Sequence, residues 1–156
     1  MKVETTAVAP QEFDGEAIVV GVWSEGSLPR STAAIDQASG GVISRLIELK
    51  EISTARCDVT PLLAPVGVQA SLVVVVGLGS QDDQKPGLGQ QAAGAAAKYL
   101  ASRARKSVGF YLDLESAETA IAGAMVGCVG QDLFRTERNL FPFDSMSWHG
   151  EIPWHS

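Results

Sequence analysis

Leu72-Val73-Val74-Val75-Val76, running into Gly77-Leu78-Gly79-Ser80, is the stretch that decides the fold class. Four consecutive valines are stiff at χ1 and favour a pleated strand over a helix. A run with no polar face belongs to a strand covered on both sides, as in a sheet held between helices. Ala17 to Trp23 (AIVVGVW) is a second run of this kind.

Weaker strands flank these two. Lys2 to Ala9 alternates loosely and is rich in Val and Thr, which suits a short edge strand. Asp58 to Leu63 is interrupted by Pro61, which cannot donate to a ladder, so an edge position is expected there too. Val108 to Leu114 (VGFYLDL) is a further strand. Ser31 to Lys50 reads as a helix in two pieces, weakened at Gly40-Gly41, with Val42, Ile43, Leu46 and Ile47 on its buried face. Gln90 to Arg103 is alanine-rich; Ala93, Ala96, Ala97 and Leu100 share a face whose small side chains let the helix approach the sheet closely. Ser116 to Phe134 carries the cleanest helical period, through Ala117, Ala120, Ile121, Ala124, Met125 and Cys128. The order β-β-α-β-β-α-β-α predicts an α/β protein, a three-layer α/β/α sandwich around a mixed sheet of about five strands. Residues 1–138 make the domain. After Arg138 the composition changes to Asn139-Leu140-Phe141-Pro142-Phe143 and then Ser, Trp, His and Gly, so 139–156 reads as a linker or a segment expecting a partner.

The 156 residues are the size of one domain, and 46% hydrophobic content excludes a disordered chain. Twelve Lys+Arg against 18 Asp+Glu leave a net charge of −6. Nucleic acid and anionic membranes need clustered cations, and only Arg103, Arg105 and Lys106 come close together, so neither partner is expected. Cys57 and Cys128 form no CxxC pair; they read as two reduced, mostly buried thiols, a single remote disulfide being the alternative. Met1 to Thr5 has no apolar signal core, and no apolar run approaches the roughly 20 residues needed to cross a bilayer. A soluble cytoplasmic protein is expected.

Candidate chemistry is sparse. The Gly77-x-Gly79 turn after a buried strand resembles a phosphate loop, but the third glycine of a dinucleotide fingerprint would fall on Asp82, and Asp82 and Asp83 would repel a phosphate. It reads as a structural turn. His149 and His155 are six residues apart, which does not place them on one helix face as a metal pair. No G-x-S-x-G elbow exists, and Ser39-Gly40-Gly41 opens a helix with no strand immediately before it. Asp113 and Glu115 could share a face as an acid/base pair, or simply favour a helix dipole. No catalytic, cofactor-binding or metal-ligating residue is assigned.

Several segments in order nevertheless resemble one family. Ile35 to Leu46 (IDQASGGVISRL), the strand and turn Val75 to Gly79, the helix Gln91 to Leu100, and Ala122 to Gly127 running on to Leu133-Phe134-Arg135 are similar to the N-terminal domain of the leucyl (cytosol) aminopeptidases. The resemblance spans about Lys2 to Arg138. It implies a macro-domain-like fold with a mostly parallel sheet, as the non-catalytic part of a hydrolase: a two-domain metalloprotease that releases N-terminal residues from peptides. It also implies two divalent metals (zinc, manganese or magnesium), all held by a C-terminal catalytic domain absent here. The partners implied are that catalytic domain, sister subunits of a homo-hexamer, and peptide substrates through the parent enzyme. The family's catalytic signature has no counterpart, Asn139 being the sole asparagine, so no site residue carries over. Two other readings stand beside it: an ADP-ribose or nucleotide-binding macro-like module, against which Gly21 to Leu28 offers no asparagine, and a DNA-binding domain, against which the acidic charge weighs.

Overall fold

The computed structural model describes residues 2–83, 87–112, 120–125 and 143–149. Strands β1 (Lys2–Thr6), β2 (Ala17–Trp23), β3 (Val59–Leu63), β4 (Leu72–Gly79), β5 (Ser107–Tyr111) and β6 (Ser145–His149) join one sheet in the order β1-β6-β5-β2-β4-β3. Only the β3–β4 pairing is antiparallel; the other four are parallel. The fold is the α/β mixed sheet that the order of elements predicts, and mostly parallel as the resemblance implies.

Alternation along each strand sorts side chains to two cores. Val74, Val76 and Leu78 of β4, with Ala17 and Val19 of β2, face one side and meet α3 (Leu88–Leu100). Val73 and Val75, with Ile18, Val20 and Val22, face the other side and meet Ile35 of α1 (Arg30–Ala38) and Ile43 of α2 (Val42–Glu48). Val73 to Val76 are wholly buried, and burying a valine contributes about 1.5–3 kcal/mol. Gly40 and Gly41, at φ +76° and +85°, separate α1 from α2, a backbone region that a side chain disfavours. Thr32 on α1 is fully buried and donates its Oγ1–H to the Gly21 carbonyl at 2.5 Å, tying the helix to β2.

On the opposite face, Ala92, Ala93, Ala96, Ala97 and Leu100 of α3 are all fully buried, as their spacing predicts. Small residues do more here than approach the sheet. A Cβ on Gly94 would sit 3.0 Å from the Gly123 carbonyl oxygen, and one on Gly123 would run into the carbonyl oxygen of Gln90. The helical residues 120–125 therefore lie backbone-to-backbone against α3.

Three expectations change. The strand after the valines does not stop at Val76 but runs to Gly79, so Gly77 is a strand residue. Among the described residues the sheet has six strands, where about five were expected. The sixth comes from the stretch read as linker: Ser145–His149 lies between β1 and β5, parallel to both. Its Met146 and Trp148 reach the α3-side core, and Trp148 stacks on Phe110 with ring centroids 4.4 Å apart. The edge positions of Lys2–Thr6 and of the Pro61-bearing strand are as expected. The helix expected over Ser116 to Phe134 falls mostly outside the described residues, which include its turns at 120–125.

Candidate functional site

The two glycines of the would-be phosphate loop spend their amides on the chain itself. Gly77 N–H donates to Asp58 O at 2.8 Å, Gly77 O accepts from Cys57 N–H at 2.8 Å, and Gly79 N–H donates to Thr54 O at 3.0 Å. A Cβ on Gly77 would strike the Ala55 carbonyl oxygen. Glycine is required there because residues 54–58 press onto the strand; the role is structural, but that of a strand residue rather than of the turn expected.

The polar groups that do converge sit just beyond, where β2 and β4 end together. Trp23 is opposite Gly79, and Ser24 N–H donates to Gly79 O at 2.9 Å. The Glu25 carboxylate takes Ser24 Oγ–H at 2.7 Å on one oxygen, and Ser80 Oγ–H at 3.0 Å and Gln81 N–H at 2.5 Å on the other. These donors hold its pKa below the usual 4.5, the Ser24 hydroxyl most, then the Gln81 amide and the Ser80 hydroxyl. Beside Gly79, Arg56 directs Nε and Nη2 at the neutral Gln91 side-chain oxygen, at 3.0 and 2.6 Å. Neither Glu25 nor Arg56 stands out in the sequence; the signal for Glu25 is an acidic residue set between Ser24 and Gly26 directly after a buried strand.

The other residues singled out lie apart. Asp82 is exposed. Cys57 sits at φ +66° and is half-buried; burial pushes its thiol pKa up, with Arg56 pulling the other way. Ser39 ends α1, its hydroxyl donating to Ile35 O at 2.7 Å, so Ser39-Gly40-Gly41 closes one helix before the next begins. Arg105 donates Nε–H to Leu100 O at 2.9 Å and Lys106 N–H reaches Glu16 Oε1 at 2.9 Å, fastening the chain between α3 and β5. His149 ends β6 with its ring 5.1 Å from that of Tyr111, whose hydroxyl donates to Val8 O at 2.8 Å. Asp113, Glu115, Cys128 and His155, and the side chain of Asp83, lie outside the described residues. Among the described residues no three His, Cys, Asp or Glu side chains gather as a metal-holding group, so the two-metal centre implied by the resemblance finds no fitting donor set here.

Comparison with known proteins then fixes the family. Residues 19–138 match the description "cytosol aminopeptidase family, N-terminal domain". This chain belongs to the cytosol aminopeptidase family. The probable cytosol aminopeptidase of Streptomyces coelicolor is 35% identical over 142 residues, covering 84% of this chain and 27% of that protein. The probable cytosol aminopeptidase of Geobacter sp. is 31% identical over 155 residues, covering 94% and 31%. The chain thus spans less than a third of the length of these curated relatives, within the N-terminal domain of the aminopeptidase family. A tomato leucine aminopeptidase variant superposes over 96% of this chain and 32% of its own, with TM-score 0.72 at 17% identity. A Thermus aquaticus macrodomain superposes over 96% and 98%, with TM-score 0.61 at 8% identity. At such identities both solved structures show a shared fold alone. No helix among the described residues is long and apolar enough to cross a membrane.

Proposed function

We propose that this chain is the non-catalytic N-terminal domain of a cytoplasmic leucyl aminopeptidase, a two-metal exopeptidase that releases N-terminal amino acids from peptides. In this reading the domain, expected over residues 1–138, also takes in β6 (Ser145–His149), and the chain beyond leads towards a C-terminal catalytic half. That half holds the zinc, manganese or magnesium pair and the reacting groups. The N-terminal domain supports assembly of a homo-hexamer and shapes access of peptides to the active site. The observation that carries the reading is the family match over residues 19–138.

The test mixes this chain with a leucine chromogenic substrate and Mn²⁺, alone and with the catalytic half supplied separately. No turnover from the domain alone, with its co-purification alongside the catalytic half, supports the proposal. Robust turnover by the lone domain overturns it.

A further inference from the structure

Between Asp58 and Asp82 the chain carries no charged side chain and no histidine. That stretch holds β3, β4 and the loop joining them, which opens Ala64-Pro65-Val66-Gly67-Val68. Leu63, at the end of β3, is 80% exposed and Val66 is 85% exposed, the two most exposed large apolar side chains among the described residues. A lone exposed aliphatic group is ordinary, whereas two on one uncharged loop mark a contact surface.

The loop is not slack. Ala64 N–H donates to Ser71 O at 2.8 Å, and Gln69 N–H donates to Gln11 O at 3.0 Å. Gly67, at φ +85°, lies so close to the end of α1 that a Cβ would run into the Ala38 carbonyl oxygen. Leu62 and Val68 turn inward and pack on the core that holds Ile35 and Ile43. A fixed frame therefore holds Leu63 and Val66 outward, and a partner has little further ordering to impose. The bonds of Gly77 N–H to Asp58 O and of Ala64 N–H to Ser71 O fix which main-chain groups of β3 face β4, leaving those of Val59, Pro61 and Leu63 at the open edge. Pro61, in the middle of that row, has no N–H, so strand addition is blocked and contact must come through side chains.

This uncharged corner belongs to a chain of net charge −6. A strongly cationic partner finds nothing to pair with here. Two copies of the chain repel wherever their carboxylates meet, and a two-fold contact sets the same side chains on both sides. Rigid aliphatic groups without charge satisfy both demands. We propose that the β3–β4 corner is where this domain meets a second copy of itself, with Leu63 and Val66 of each copy packed against the other about a two-fold axis. Four side chains cover far less than the roughly 800 Å² per partner of a stable dimer, so the contact between isolated domains is weak. It gains force where a parent enzyme holds several copies together. In that respect the inference deepens the assembly role proposed above and rests on it; the contact itself is tested on this domain alone.

The experiment dilutes the isotopically labelled chain from about 1 mM to about 20 µM, with sedimentation velocity at both ends of the range, to bracket a Kd of about 0.1–1 mM. The amides of Leu63, Ala64, Val66 and Gly67 are followed, with those of Val3 and Trp148 on the other side of the sheet as reference. Leu63→Lys and Val66→Lys each place like charges on both sides of the contact and should weaken association about tenfold or more. Leu63→Ser and Val66→Ser, which add no charge, serve if a lysine variant does not fold. Dilution shifts centred on the loop, lost in the variants, support the proposal. A chain that stays monomeric throughout, or folded variants that associate as the parent does, overturn it. Loop shifts that appear only when the catalytic half is added to a monomeric domain assign the corner to that half and also overturn it. Each of these failures leaves the family membership and the catalytic reading standing.

Discussion

β4 and β6 are both interior strands of one sheet, yet they are built from opposite materials. β4 reads LVVVVGLG and is buried along Leu72 to Leu78 by helices on both sides. β6 reads SMSWH, with Met146, Ser147 and Trp148 buried and His149 exposed. The first strand is stabilised by its own side chains. The second depends on its neighbours: parallel ladders to β1 and β5, and the stacking of Trp148 on Phe110. Sheet membership thus follows from intrinsic apolarity in one case and from tertiary pairing in the other.

The severest test of that contrast removes residues 139–156. A linker would be dispensable. As a strand, β6 is the neighbour that joins β1 to the rest of the sheet, so its loss frees β1 and uncovers the edge of β5. The expected outcome is loss of a cooperative thermal transition, followed by circular dichroism; a truncated chain that melts like the parent would show that β6 contributes nothing.

Substitution within β6 comes next. Trp148→Ala deletes a large side chain that is 4% exposed and should cost about 3–5 kcal/mol in urea unfolding. Trp148→Phe sharpens the point. The indole Nε1–H is buried with no hydrogen-bond partner among the described residues, a state that costs about 1–3 kcal/mol, so a ring without that donor should cost far less than alanine. Equal losses for the two variants would move the role of Trp148 from stacking to shape.

On the β4 side the corresponding weak point is Gly77 rather than a valine. Gly77→Ala drives a methyl into the Ala55 carbonyl and should cost about 1–3 kcal/mol by the same unfolding measurement, through displacement of residues 54–58. Gly40→Ala meets no atom within 4 Å but keeps φ at +76°, so its cost is conformational, about 1 kcal/mol.

How much could be read from the sequence follows the same division. The valine runs, the Pro61 edge strand and the Gly40-Gly41 break are local rules, and the structure follows each. β6 is hard to read because its period-two alternation, Met146 and Trp148 between Ser145, Ser147 and His149, is only two apolar residues long and sits in a polar stretch; its burial comes from strands that lie 34 residues or more away in the chain, at Lys2–Thr6 and Ser107–Tyr111. The strand-end site divides likewise. Gly77 and Gly79 advertise themselves as a motif yet serve packing. Glu25 carries no motif because its partners Ser80 and Gln81 are 55 and 56 residues distant, and only the parallel register of β2 with β4 brings them together.

The smallest effect is the acid limb of that contact. Glu25 is exposed, so what titration tests is the geometry of its hydrogen bonds more than global stability. Its pKa is lowered from 4.5 in the folded chain, which means that the folded state binds the proton less readily than the unfolded one. The contact's contribution is therefore complete above the ordinary carboxylate pKa and lost as pH falls through the lowered value. Following the Gln81 amide resonance against pH should give a step with its midpoint below 4.5, and Glu25→Gln should erase that step while leaving the resonances of β6 unchanged. A midpoint at or above the ordinary value would mean that the loops after β2 and β4 meet without the carboxylate gripping them. The two strand ends would then be held by the Ser24 to Gly79 main-chain bond alone, and β4, like β6, would owe its closing contact to backbone pairing.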